Sequence, residues 1–96
     1  MKITDLKPGM NRVNLEAKID QLDETQEVMT KFGIVAKLTN IMISDDSGKI
    51  KLVIWGDTPV GIKKGSKLDI KNAFVKAFRG EKQIGVARSG KIEVVK

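Results

Sequence analysis

From Arg12 to Asp20 the chain alternates without a fault. Val13, Leu15, Ala17 and Ile19 are apolar, and Arg12, Asn14, Glu16, Lys18 and Asp20 are polar. A period of two is incompatible with a helix face, whose period is 3.6, so this is a long half-exposed strand laid against a core. The alternation breaks at Leu22, which points to a bulge or the strand end. The same period returns at Lys49–Trp55, with Ile50, Leu52 and Ile54 on one face and Lys51, Val53 and Trp55 on the other. That strand is entered through Asp45-Asp46-Ser47-Gly48, where Asp and Ser side chains bond nearby backbone and Gly supplies positive φ.

Three further strands follow from the same reasoning. Ile34–Ser44 is the second, but Ala36 and Leu38 fall on one parity and Ile41 and Ile43 on the other. A bulge or sharp coil is therefore expected near Thr39-Asn40. Asp23–Gly33, between the first two strands, is polar and aperiodic and reads as a long hairpin loop with Lys31-Phe32-Gly33 at its far end. Gly56–Gly65 contains Pro59, Gly61 and Gly65 and is too broken for a stable helix. It reads as a connection across a barrel end, with room for one helical turn.

Ser66–Phe78 is the fourth strand. Leu68 and Ile70 begin as core, and the phase then changes near Asn72. Beyond it Ala73, Val75 and Ala77 form the small apolar face, and Phe74, Lys76 and Phe78 the opposite one. Without the change, Lys76 would share a core face with two phenylalanines, which is costly for a charge. Arg79-Gly80-Glu81 is a tight turn into the fifth strand, Lys82–Arg88, with Ile84 and Val86 inward. After a kink at Ser89-Gly90 the strand continues through Lys91–Lys96 with Ile92 and Val94. Near the N-terminus, Ile3 and Leu6 are spaced to tuck onto the core ahead of the Pro8-Gly9 turn.

Five strands, a long first hairpin loop, an interruption between strands three and four and a short last hairpin make an all-β, five-stranded Greek-key barrel of the OB type, one domain over residues 1–96. An SH3-like barrel is the alternative fold; its strands are shorter and it lacks that interruption. In the barrel order expected here, strand one lies between strands three and four.

The chain has one Trp and three Phe, and no Tyr, His or Cys. Trp55, Phe74 and Phe78 all fall opposite the aliphatic core, where large rings need a cover. Trp55 either closes a barrel end or belongs to a surface that stacks flat, anionic ligands. Lys76 separates Phe74 from Phe78, and Arg79 follows. Alternating rings and cations suit single-stranded nucleic acid, whose bases stack and whose phosphates attract the cations. Lys and Arg total 18 against 12 for Asp and Glu, a net charge of +6. This favours a polyanionic partner, the alternative being a thermophile-like Lys-rich surface.

Catalysis is disfavoured. Without His or Cys the commonest general base, nucleophile and metal ligands are missing. Asp45, Asp46 and Asp57 could in principle hold Mg²⁺, but the first two sit where a turn wants Asp anyway. Gly80-Glu81-Lys82 is a hairpin turn rather than a phosphate-binding loop. No cofactor is expected. No apolar run of about 18 residues is present, and the N-terminus lacks the apolar core of a secretory signal, so a reducing cytoplasm, with nucleoid association, is the expected location.

The chain resembles the single-OB-fold single-stranded DNA-binding proteins of archaea and their eukaryotic relatives, which are similar to the OB domains of replication protein A. The resemblance is carried by residues 3–15 (ITDLKPGMNRVNL), 45–56 (DDSGKIKLVIWG), 63–80 (KKGSKLDIKNAFVKAFRG) and 85–90 (GVARSG). It implies base stacking on Trp55, Phe74 and Phe78. It implies contacts from the first hairpin loop and the fifth strand, carried here to Lys31, Phe32, Arg79 and Arg88. A further aromatic that some members hold on strand five has Gly85 near its place, and the flexible C-terminal tail of many members is absent from these 96 residues. The implied function is binding of single-stranded DNA with low sequence specificity, in replication, repair or recombination, by a monomer that meets replication or repair proteins. An RNA- or tRNA-binding OB-fold and a protein-interaction OB-fold, with the three rings as interface anchors, are the alternatives.

Overall fold

The computed structural model describes residues 2–56 and 61–95; of residues 87–89 only the backbone is described. Six strands form one sheet: β1 (Val13–Leu22), β2 (Gln26–Met29), β3 (Val35–Ser44), β4 (Lys49–Trp55), β5 (Lys67–Phe78) and β6 (Glu81–Val95). Their order is β1-β5-β6-β4-β3-β2, and β1 also pairs with β3. That extra pairing closes a five-stranded ring and leaves β2 outside it. All pairings are antiparallel except β4–β6. This is the OB barrel expected from the alternation. Among the described residues no helix is long and apolar enough to cross a membrane.

The core is the one the parities define. Val13, Leu15, Ala17 and Ile19 from β1, Ile50, Leu52 and Ile54 from β4, and Leu68, Ile70, Ala73 and Val75 from β5 are all buried. Ile3 and Leu6 join them from a short 3₁₀ turn, Ile3–Asp5. That turn is tied to the β3–β4 hairpin: Asp45 Oδ2 accepts from the Ile3 N–H at 2.9 Å, and Ser47 Oγ from the Thr4 N–H at 3.2 Å. Ile84 is buried on β6, and Val86, Ile92 and Val94 pack against the core.

The change of phase in strand four is present. Asn72 adopts φ +56°, and the β5–β6 register shifts between Lys71 and Ala73. Four residues of β6 stand opposite this one residue of β5; β5 turns a new face to the core, from Leu68 and Ile70 to Ala73 and Val75, while Ile84, Val86, Ile92 and Val94 keep one parity on β6. The Asn14 side chain supports the bend by accepting from the Asn72 N–H at 3.1 Å. Ala77 keeps the core parity but is exposed at the strand end.

Three expectations are corrected. The segment Asp23–Gly33 is not simply a loop: β2 pairs regularly with Val35–Leu38 and extends the second hairpin beyond the ring. No bulge occurs at Thr39-Asn40, since β3 pairs without a break from Leu38 to Ser44 against β4. Thr39 is the reason. It is buried, in phase with Ile41 and Ile43, its hydroxyl 2.7 Å from that of Thr25, so a polar residue occupies a core position and hides the period. The bulge lies instead in β1, between Ile19 and Gln21, just before Leu22. Finally, β6 separates β4 from β5; β1 lies on the far side of β5, between it and β3.

Candidate nucleic-acid interface

With β6 between β4 and β5, the register aligns outward-facing residues in rows across the sheet. One row runs Asn40, Val53, Gly85, Phe74, and the next Met42, Lys51, Gln83, Lys76. Trp55 stands beside Leu38 one step beyond the first row, and Phe78 beside Glu81 one step beyond the second. The two rings therefore mark opposite ends of the face, six strand positions apart, about 20 Å at 3.3 Å per residue. Between them lies a groove of about 470 Å³. Its lining includes Trp55, Phe78, Lys51, Lys76, Arg79, Asn40 and Gln83.

Trp55 and Phe78 are each 54% exposed, so neither ring is spent on the core. Phe74 differs. It is half-buried, lies against Gly85 of β6 and is not among the groove-lining residues. Lys31 and Phe32 lie in the turn that joins β2 to β3, away from the groove lining. There Lys31 Nζ sits 5.3 Å from the Phe32 ring centre, and Phe32 is 77% exposed. The Thr30 hydroxyl accepts from the Ile34 N–H at 3.3 Å in this turn. Arg79 packs its guanidinium 5.3 Å from the Phe78 ring centre. It does so from a two-residue turn in which Arg79 (φ +52°) and Gly80 (φ +82°) both take left-handed conformations, the type I′ geometry that matches strand twist. Such a conformation is uncommon for Arg and throws its side chain back over the last ring of β5. The Arg88 side chain, Asp57 and part of the connection across the barrel end lie outside the described residues.

Lys2, Lys49, Lys67 and Lys71 are ion-paired, with Asp46, Asp20, Glu16 and Asp69. Among the described residues Lys31, Lys51, Lys76 and Arg79 form no ion pair. Lys51, Lys76 and Arg79 thus bring unpaired positive charge to the groove, whose lining also holds Glu81. Lys51 shares its parity with Trp55, so its place in the groove was legible; Asn40 and Gln83 carried no aromatic or charge signal. Among the described residues no cluster of three or more acidic side chains is placed to hold a metal ion. Asp45 instead accepts from the Ser47 and Gly48 N–H groups at 2.7 and 3.1 Å, which is turn architecture.

Comparison with known proteins fits this geometry. The family model described as single-stranded DNA binding protein Ssb-like, OB fold, matches residues 6–94. The chain belongs to this family. A single-stranded DNA binding protein Ssb from Saccharolobus solfataricus is 33% identical over 91 residues, which are 95% of this chain and 61% of that protein. The chain thus spans about three fifths of the length of this curated relative. Among solved structures, the OB domain of a Thermoplasma acidophilum protein superposes with a TM-score of 0.83 at 25% identity, covering 99% of this chain and 85% of the other. The second OB-fold domain of replication protein A from Methanococcus maripaludis gives 0.83 at 22% identity, covering 100% and 94%. The Ssb-like family thus shares the whole barrel with this chain, including the strands that carry the groove.

Proposed function

We propose that this chain binds single-stranded DNA with low sequence specificity, by stacking bases on Trp55 and Phe78 and holding phosphates with Lys51, Lys76 and Arg79. The observation that carries this reading is the groove itself, with two half-exposed rings at its ends and unpaired cations between them. Phe74 extends the apolar surface beside it, and Lys31, Phe32 and Arg88 supply outlying contacts. Every base has a π face, so stacking is tolerant of sequence, and each stack is worth about 1–3 kcal/mol. The named relative binds single-stranded DNA, and its likeness to nearly the whole of this chain supports the same ligand here. The chain is read as a binding protein rather than an enzyme, serving replication, repair or recombination in association with the nucleoid.

Trp55 reports its own ligand. Its fluorescence is to be titrated with oligo-dT, oligo-rU and duplex DNA at two salt concentrations. Quenching by oligo-dT that weakens with salt, with poor binding of duplex, is the expected result. Tighter binding to duplex than to single strands would sink the reading, and a flat salt response would remove nucleic acid as the main ligand.

A further inference from the structure

Gln83 is only 7% exposed, yet it lies on the outer face of the barrel, between the core residue Ile84 and its own register partners Lys51 and Lys76. Among the described residues its carboxamide has no hydrogen-bond partner. No side-chain nitrogen or oxygen of a described residue is both fully buried and unpaired. The Gln83 amide therefore keeps its polar atoms at the groove surface while the rest of the residue is enclosed. With its stem enclosed the amide is held in place, and its donor and acceptor face the groove without a partner from the chain, open to one from outside.

We infer that Gln83 is a base-contacting residue, hydrogen-bonded to the edge of a nucleotide base held between the two rings. This deepens the single-strand reading and rests on it. The position decides between base and phosphate. Lys51 and Lys76 flank Gln83 in the same row and, as cations, take the phosphates, whereas the amide at the floor between them meets what points inward, a base. The chemistry agrees with low specificity. A carboxamide has a donor and an acceptor side by side. Each base edge does too: thymine N3–H beside O4, cytosine N4–H beside N3, adenine N6–H beside N1, guanine N1–H beside O6. A half-turn of the amide exchanges its two groups, so one glutamine serves all four bases. Asn40, one row along and also lining the groove, offers a second amide for a neighbouring base.

The test compares the native chain with Gln83→Met, which keeps the volume and loses the amide, on oligo-dT and on an abasic phosphodiester strand of equal length. Melting temperature is recorded for each protein. The expected result is a loss of about 3- to 10-fold on oligo-dT and none on the abasic strand, with the salt slope unchanged. Gln83→Glu, which accepts but cannot donate, should shift preference toward oligo-dC over oligo-dT, because a carboxylate accepts from cytosine N4. An equal loss on both strands would make Gln83 a phosphate contact and overturn the inference, as would native affinity for oligo-dT in a folded Gln83→Met protein. These outcomes are separate from failure of the underlying reading, in which the native chain itself binds no single strand.

Discussion

Phe74 lies over Gly85: a Cβ on that glycine would stand 2.8 Å from Cζ of the ring and 3.1 Å from Cε2. The two are register partners on β5 and β6. A glycine within a strand leaves backbone uncovered and no side chain to pack, and here a neighbouring ring covers it. The pair explains why Phe74 is half-buried when Trp55 and Phe78, on the same outer face, are not. It also explains how β6 does without an aromatic of its own: the space over Gly85 is filled from β5.

Gly85→Ala should displace the Phe74 ring and lower the melting temperature. In a Phe74→Ala background the same change should be nearly harmless, because the clashing atoms are gone. The two substitutions are therefore expected to be strongly non-additive, as contacting residues are. A double-mutant cycle by chemical denaturation reads this directly. Additive effects would show that the ring and the glycine do not depend on each other.

Alanine at Trp55 or Phe78 should weaken oligo-dT binding by about 1–3 kcal/mol and leave the melting temperature almost unchanged. Phe74→Ala should do both: weaken binding, and cost some stability, though less than the roughly 3–5 kcal/mol of a fully buried phenylalanine. Fluorescence anisotropy of a labelled oligo-dT and thermal melts of the three variants decide the matter. Unchanged affinity in folded Trp55→Ala and Phe78→Ala proteins would remove the rings from the interface.

What was legible in the chain followed from burial. Wherever one face of a strand meets the core, alternation records it, as at Val13–Ile19 and Ile50–Ile54, and even the phase change at Asn72 left a trace because Lys76 had to stay out. Strand β2 left no trace because it lies outside the ring, where no core imposes a period. Thr39 misled for the opposite reason: a hydroxyl satisfied by Thr25 can occupy a core position. The rings of the groove were legible by parity, but how they are spaced was not. That depends on β6 standing between β4 and β5, a long-range pairing which no local pattern encodes.

Lys51 and Lys76 flank the groove floor without carboxylate partners, so each should release counterion when a strand binds. For single strands log K falls with log salt by about 0.7 per phosphate contact. Lys76→Ala and Lys51→Ala should each flatten the slope by about that amount and weaken oligo-dT binding most at low salt. Lys67→Ala, whose lysine is engaged 2.7 Å from Glu16 away from the groove, should leave the slope unchanged. Equal effects from all three would mean that net charge, and not the groove, attracts the strand.

The last prediction concerns acid. Asp45 holds the N-terminal turn onto the β3–β4 hairpin. Burial alone would push its carboxyl up, but hydrogen bonds from Ser47, from the Ile3 N–H and from the Gly48 N–H outweigh it and hold the group at about 2, against an ordinary 3.8. A carboxyl depressed in the folded state contributes stability that is fully present above its unfolded value and is lost as pH falls through the folded one. The loss should therefore fall between about pH 4 and pH 2. Asp45→Asn keeps the shape and removes the charge, so it should be less stable than the native chain at neutral pH. The gap should narrow through that window, because the native carboxylate is being protonated while the asparagine does not titrate. Denaturant midpoints for both proteins from pH 5 down to pH 2 give the comparison. A gap that stays constant across the window would show that the Asp45 charge is not what fastens Ile3 and Leu6 to the barrel.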